Sequence, residues 1–325
     1  MRTAYEAHDW LLKLYNHILK YGEHGGQALE YLRSRGINDE MIEKFQLGYS
    51  VKETHMVVSF LESKNFSTHG LLNRKIINLS KRGNYFDPFF DRLVFPIFDF
   101  NDRVVGFGGR AMDDDNKIKY LNSPETRIYK KQDNLYGLTQ AKEGIKEEGY
   151  LVLFEGYFDV IKAHQYGLTN SVASLGTALT PEQAMLIKSV TKNVVVVLDN
   201  DEAGINASFR SASVLEAVGV NCVIGKINNE EDVGDPDEYF EKYKDKDRFV
   251  NEVVKTAVDR KTFFVNEKIN TIDLNNGNQR FTLLNEMLSE LSTDINERIE
   301  WVRLINERLG IPTNIINSVI VSRGA

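Results

Sequence analysis

One cysteine in 325 residues, Cys222, is too few for a disulfide framework, and without clustered Cys and His partners it cannot anchor a structural zinc ion. It reads as a small buried hydrophobe. No stretch approaches the roughly 20 uninterrupted apolar residues that a membrane-spanning helix needs. The first residues, with Glu6, His8 and Asp9 ahead of Trp10, lack a secretory pattern. A cytoplasmic protein without membrane contact is the expectation. Internal repeats and low-complexity tracts are missing too, and so is net positive charge: the formal balance is -7. That figure counts against a nucleic-acid enzyme, because phosphate contacts draw on Lys and Arg.

The average conceals an asymmetry. Residues 74–142 carry 13 Lys plus Arg against 9 Asp plus Glu, net +4, whereas residues 228–244 carry 7 acids against 2 Lys, net -5. The first segment is suited to phosphates and the second to cations, although each taken alone also matches a solvated surface. With 42% hydrophobic and 27% charged residues, the chain can bury a sizeable core and divide into two or three domains.

Helical spacing of Trp10, Leu11, Leu14, Ile18 and Leu19 predicts a helix over residues 5–21, and shorter helical patterns over 27–35 and 39–45 flank Gly36. Apolar runs at 94–97 and 103–107, joined by a polar turn, read as a hairpin, while Pro88 makes 86–90 irregular. The middle third alternates short β runs (151–154, 171–173, 194–198, 222–227) with helical stretches, the pattern of a parallel sheet with crossover helices. Thr180-Pro181-Glu182-Gln183 is a capping box that starts a helix. After residue 245, Phe263, Phe264, Ile269, Phe281, Leu284, Met287, Leu288, Ile299, Val302 and Leu304 recur at helical spacing and predict a small bundle.

Ligands gather at the carboxyl ends of strands in open α/β sheets, and there the residues are acids. Glu155 and Gly156 follow the first β run, Asp199 and Asp201 the third, and Asp235 and Asp237 lie beyond the fourth. Five carboxylates at one edge repel one another unless divalent cations intervene, and oxygen ligands without Cys or His favour Mg²⁺ or Mn²⁺ over zinc. Residues two apart in an extended segment point the same way, so each Asp-x-Asp pair is suited to grip one ion. Alone, an Asp-x-Asp is more often an exposed turn.

The ordered set is far more specific: strand-Glu-Gly, strand-Asp-x-Asp followed by Glu202-Ala203-Gly204 and a helix, then a third strand and Asp-x-Asp. It resembles the Toprim domain over about residues 150–243, a domain shared by primases, type I and type II topoisomerases and some nucleases. Flanking segments resemble bacterial replicative primases: Tyr31-Leu32-Arg33-Ser34-Arg35-Gly36, Asp91-Arg92-Leu93-Val94-Phe95-Pro96-Ile97, Val105-Gly106-Phe107-Gly108-Gly109-Arg110, Lys119-Tyr120-Leu121-Asn122-Ser123-Pro124-Glu125-Thr126 and Asn134-Leu135-Tyr136-Gly137-Leu138. Inside Toprim, Glu155-Gly156-Tyr157-Phe158-Asp159-Val160 and Ser174-Leu175-Gly176-Thr177-Ala178-Leu179-Thr180 fit the same family, and the match spans about residues 31–240. Asn200 stands where the family often has Gly between the two aspartates, with both carboxylates kept.

The resemblance implies an α/β fold, α+β overall: a mixed α+β subdomain with a basic cleft (1–140), a central Toprim-like parallel sheet with flanking helices (141–243), and the helical bundle (244–325). It implies synthesis of short RNA primers on single-stranded DNA from NTPs, with pyrophosphate release and two or more Mg²⁺ or Mn²⁺ ions. Asp199, Asp201, Asp235 and Asp237 would bind metal, with Glu155 a further ligand or a proton-transfer group. Arg35, Arg92, Arg110, Lys119, Asn122 and Lys131 would meet nucleotide and template, and Gly108 and Gly109 would admit a phosphate close to the backbone. Asp159 ranks as structural, and Tyr85, Phe86, Phe89 and Phe90 as packing in preference to base stacking. The family's amino-terminal zinc module and helicase-binding domain have no counterpart here, so a catalytic core is expected, with the replicative helicase met at the fork through a domain this chain lacks. Two other classes fit the same acids: a Toprim topoisomerase or nuclease, which would cleave strands, and a non-catalytic nucleic-acid or nucleotide-binding adaptor, against which the five retained carboxylates argue.

Overall fold

Thr3 and Glu6 close a capping box that starts α1 (Ala4–Tyr21), and Leu11, Tyr15, Ile18 and Leu19 bury one face of it. Two short helices follow, α2 (Gly26–Ser34) and α3 (Asp39–Lys44), the second capped by Asn38. Then come β1 (Gly48–Ser50), α4 (Met56–Ser63), α5 (Thr68–Asn73) and a two-stranded ladder of β2 (Asn78–Leu79) with β3 (Tyr85–Phe86). The expected hairpin is β4 (Arg92–Phe98) against β5 (Val104–Ala111), with a register shift at Ile97/Phe98. Adding β1 and β6 (Tyr120–Asn122) gives an antiparallel sheet in the order β1-β4-β5-β6. The computed structural model describes residues 3–53, 55–113, 115–176, 178–227, 233–289 and 295–322. Part of the acidic run, 228–232, and Thr177 of the Ser174–Thr180 motif therefore lie outside the described residues.

Buried Asp87 accepts hydrogen bonds from Tyr15 Oη (2.9 Å), Ser50 Oγ (2.5 Å) and the Phe89 N–H (2.9 Å). This satisfied carboxylate ties α1, β1 and the aromatic segment together. Within that segment Phe89 is buried against Phe107, while Phe90 is 42% exposed beside Phe86. The two glycines expected to face a phosphate do something else. A Cβ on Gly108 would run into the Tyr157 ring, and one on Gly109 into Phe89 and Arg92, so their bareness accommodates side chains of this chain.

The middle third contains α6 (Leu138–Glu148), β7 (Leu151–Phe154), α7 (Tyr157–Gln165), β8 (Ser171–Ala173), α8 (Pro181–Val190), β9 (Asn193–Val196), α9 (Glu202–Ala217), β10 (Asn221–Ile224), α10 (Pro236–Tyr243) and α11 (Lys246–Phe249). All four of its strands run parallel, in the order β10-β9-β7-β8. The chain leaves β7 for β8 on one side and returns for β9 on the other, so the topological switch point lies between β7 and β9, where a ligand crevice forms in such sheets. Backbone bonds between Tyr136 and Ala173 (2.9 and 3.0 Å) join the β8 edge to the segment before α6. The capping box at Thr180 forms as expected, and buried Gln183 also donates to Asn134 O (2.9 Å) and Ser174 O (3.2 Å).

Chain contacts divide the protein into two compact units, Met1–Thr256 and Ala257–Ala325. Phe249 is buried against Phe240 and Phe154, which keeps α11 with the first unit. The second unit holds α12 (Arg260–Ile269), α13 (Gly277–Ser289), α14 (Ile295–Leu309) and α15 (Thr313–Ser322) around Val265, Leu284, Met287, Trp301, Ile305 and Ile316. Two residues expected in its core face out instead, Phe281 (55% exposed) and Ile299 (61%), because Trp301 and Ile305 define the inward stripe of α14. Substituting Gly108→Ala should destabilise the first unit by about 1–3 kcal/mol through overpacking against Tyr157, read as a lower urea midpoint at unchanged slope.

Candidate active site

Each acid of the expected set sits where a strand ends or a helix begins. Glu155 directly follows β7, and Asp199 lies three residues beyond β9. Asp201 caps α9, its Oδ1 accepting from the Gly204 N–H (2.7 Å), and Asp235 caps α10, accepting from the Glu238 N–H (2.7 Å). Gly204 has to be bare, since a Cβ there would overlap the Asp199 backbone. Asp159, in the first turn of α7, accepts from the Gly156 N–H (2.7 Å).

A cleft of about 570 Å³ gathers Glu155, Asp159, Asp199, Asp235 and Asp237 with Arg35, Arg110, Lys119, Asn122 and Lys131. Of the expected site residues only Asp201 and Arg92 are outside its lining. Asp201, two residues beyond Asp199, is the α9 cap and stands near enough to Glu155 to raise that carboxyl's pKa. Arg92 is buried in the sheet, its Nη1 donating to Lys119 O (3.2 Å) and Gly109 O (3.4 Å), so it braces the strands that carry the basic wall. A larger hollow of about 930 Å³, lined by residues of α5 and the 125–128 segment, contains Glu125 as its one acid and none of the expected site residues.

Asn122 joins the two sheets' territories. Its Oδ1 accepts a short hydrogen bond from Tyr157 Oη, and its Nδ2 donates to Leu175 O (3.3 Å). Leu175 is held at φ 66, a left-handed conformation uncommon for a branched residue, and with Gly176 (φ 67) it forms a turn on the cleft wall.

Two family models match, "DNA primase catalytic core, N-terminal domain" over residues 14–142 and "Toprim-like" over residues 152–240. The DNA primase of Clostridium acetobutylicum is 37% identical over 297 residues, covering 90% of this chain and 48% of that protein. The crystal structure of the Aquifex aeolicus primase, comprising zinc-binding and RNA polymerase domains, is 32% identical with a TM-score of 0.76, covering 96% of this chain and 74% of that one. This chain belongs to the DNA primase family. A DnaG primase catalytic domain bound to ssDNA is also similar, at 29% identity and a TM-score of 0.77, with 95% and 96% of the two chains covered. The chain spans about half the length of the curated relatives it matches.

The primase cleft is electrostatically uneven. Burial, then the charges of Glu155, Asp235, Asp201 and Glu238, push Asp199 up to about 7. Burial and Asp201 raise Glu155; burial, then Asp199 and Asp235, hold Asp159 well above the carboxylate range. Burial is also the largest cause raising Asp235. Asp237 differs in kind: nearly buried, it forms ion pairs with Lys162 and Arg35. Arg35 in turn covers the Phe158 ring at 4.8 Å, and Arg110 stacks on Tyr31 at 4.3 Å. Lys119 is exposed, and burial lowers the Lys131 pKa.

Sequence reasoning missed Lys162, Tyr157 and the position of Asp159 on the cleft wall. A signal existed for two of them: Asp159 and Lys162 lie three apart on α7 and so share a helix face.

Asp199 binds its proton more tightly folded (about 7) than at its ordinary value of 3.8. Folding therefore takes up a proton between those values, and the parent's stability falls as pH rises from about 4 to about 7. Asp199→Asn removes that dependence. Because the group is partly exposed, its contribution is discounted for solvent screening, and the variant should exceed the parent by about 1 kcal/mol at pH 8 and by less at pH 5. Urea melts in EDTA across this range read the difference, and a variant less stable than the parent at pH 8 contradicts the repulsion.

Proposed function

We propose that this chain makes short RNA primers on single-stranded DNA by transferring nucleotidyl groups from NTPs, with Mg²⁺ or Mn²⁺ as cofactor. One observation carries the reading: a single cleft holds a carboxylate edge at the sheet's switch point and a wall of Arg35, Arg110, Lys119 and Lys131. Family membership supports it, as does the ssDNA bound by the similar DnaG catalytic domain. The ligands are then the template, NTPs and the nascent primer at the nucleoid fork. Among the described residues no helix is long and apolar enough to cross a membrane.

The residues present fit a divalent cation. The donors are all oxygens, and the mutual repulsion that raises Asp199 is relieved by a cation placed among Glu155, Asp199, Asp201 and Asp235. Among the described residues no three Asp, Glu, His or Cys are arranged to hold an ion unaided. An ion held there by one or two of these carboxylates would take its remaining ligands from water and the nucleotide's phosphate oxygens, as is usual for Mg²⁺. When bound, such ions neutralise charge on the attacking and leaving oxygens.

The chain's own groups then have separate tasks. The primer's 3′-hydroxyl oxygen bonds to the α-phosphorus, the bond from that phosphorus to the β-phosphate bridging oxygen breaks, and pyrophosphate departs with the electron pair. Glu155, its pKa raised by burial and Asp201, either receives the hydroxyl proton or serves as a further ligand, the proton then passing to water. Lys119 and Lys131 meet phosphates; Asn122 and Tyr157 fix the Leu175 turn that lines the cleft wall.

Asp199→Asn and Asp201→Asn should each abolish incorporation of labelled ribonucleotides on single-stranded DNA in Mg²⁺ or Mn²⁺ while the fold persists. Parental activity in either variant would refute the assignment, and strand cleavage without incorporation would favour a nuclease. For the template, Lys119→Ala and Lys131→Ala should each weaken ssDNA binding and reduce the slope of log K against log salt by about 0.7. Anisotropy titrations over a salt series measure it.

A further inference from the structure

The structure assigns to Lys162 a role that rests on the metal-site reading above and sharpens it: Lys162 is an internal counter-cation that withholds Asp237 from divalent-cation binding. The two halves of the second Asp-x-Asp are not equivalent. Asp235 has its backbone cap and forms no ion pair with a described Lys or Arg, and the same holds for Glu155, Asp199 and Asp201. Asp237 has both carboxylate oxygens engaged, Oδ1 by Lys162 Nζ at 2.8 Å and Oδ2 by Arg35.

Lys162 is 3% exposed on α7, and its ammonium also lies 2.8 Å from Glu241 Oε2. Neither of these close contacts is aligned as a hydrogen bond, so the group acts as a point charge set between two carboxylates. An ammonium and a divalent cation compete for the same oxygens. With one already buried there, in a region where withdrawing it would leave an uncompensated charge, the ion has to be held by the carboxylates that lack a cation. Lys162 is thus a positioning residue. It fixes the charge count of the ion site and anchors α10, whose N-terminus carries Asp235.

Calorimetric titration with Mn²⁺ alone, without nucleotide, tests this independently of activity. Asp199→Asn should weaken Mn²⁺ binding by roughly tenfold or more, whereas Asp237→Asn should stay within about twofold of the parent. Lys162→Met releases a carboxylate to the site and should tighten Mn²⁺ by about three- to tenfold, Lys162→Arg should restore the parental value, and Asp237→Asn placed on Lys162→Met should cancel the gain. The Met variant is expected to fold, since Asp237 keeps Arg35 and Glu241 lies within 4.0 Å of Lys244. Should circular dichroism show otherwise, the Asp237→Asn comparison decides alone. An Asp237→Asn loss as large as that of Asp199→Asn overturns the inference and leaves the metal site standing. A parent that binds no Mn²⁺ overturns both.

Discussion

Backbone N–H groups at helix starts are what allow so many acids to share one edge. Asp159 accepts a hydrogen bond of 2.7 Å from Gly156, the N-cap of α7, and Asp201 and Asp235 accept bonds of 2.7 Å from the first turns of α9 and α10. Each such bond, with the partial positive charge of the helix end behind it, offsets part of the desolvation and repulsion that the carboxylate meets. The cleft's anionic character is therefore a product of the parallel sheet's topology. Three helices, the crossovers α7 and α9 and the α10 that follows the last strand, start beside one crevice, and the acids at their first turns cannot be moved elsewhere without loosening those helix starts. Glu155 and Asp199 have no such bond, and burial, then the neighbouring acids, push Asp199 up to about 7. The fold tolerates that strain at the two central strands, where a ligand can relieve it.

The antiparallel layer answers with cations, and its geometry depends on small residues. Bare Gly108 admits Tyr157, whose hydroxyl reaches Asn122 on the neighbouring strand, and Asn122 holds the Leu175 turn. Arg92, by binding the carbonyls of Gly109 and Lys119, fixes β5 and the start of β6 that Lys119 precedes. Arg110 and Arg35 are held over aromatic rings of α2 and α7. These guanidiniums are oriented by their ring contacts before any ligand enters the cleft.

Strand ends were legible in the sequence because apolar runs and the acids after them are local signals; β7, β9 and β10 fall within a few residues of the predicted runs. Side-chain partners were not. Lys162 meets Asp237 across 75 positions, and helical spacing can set it on one face with Asp159 but cannot name a partner so far along the chain. Glycine carries the same ambiguity: Gly108 and Gly109 read as room for a phosphate, and the room is taken by Tyr157 and Phe89. In the second unit the helices were legible, but α14 turns Trp301 and Ile305 inward and Ile299 outward, because several apolar residues on one helix leave its rotation open until neighbours choose.

Asn200 completes the picture of how the acids keep their places. Where the family often has glycine, this side chain donates from Nδ2 to Ile227 O (2.6 Å), and its backbone N–H donates to Gly234 O (3.1 Å). The loop bearing Asp199 and Asp201 is thus tied both to the end of the β10 run and to the residue preceding Asp235. A glycine could make the backbone bond but not the side-chain bond, so the asparagine adds a clamp between two acid-bearing loops. Repulsion among Asp199, Asp201 and Asp235 pushes those loops apart when no cation lies between them. A neutral amide that bonds across the gap opposes the separation without adding charge to the cleft, and the acids stay gathered before any ion arrives.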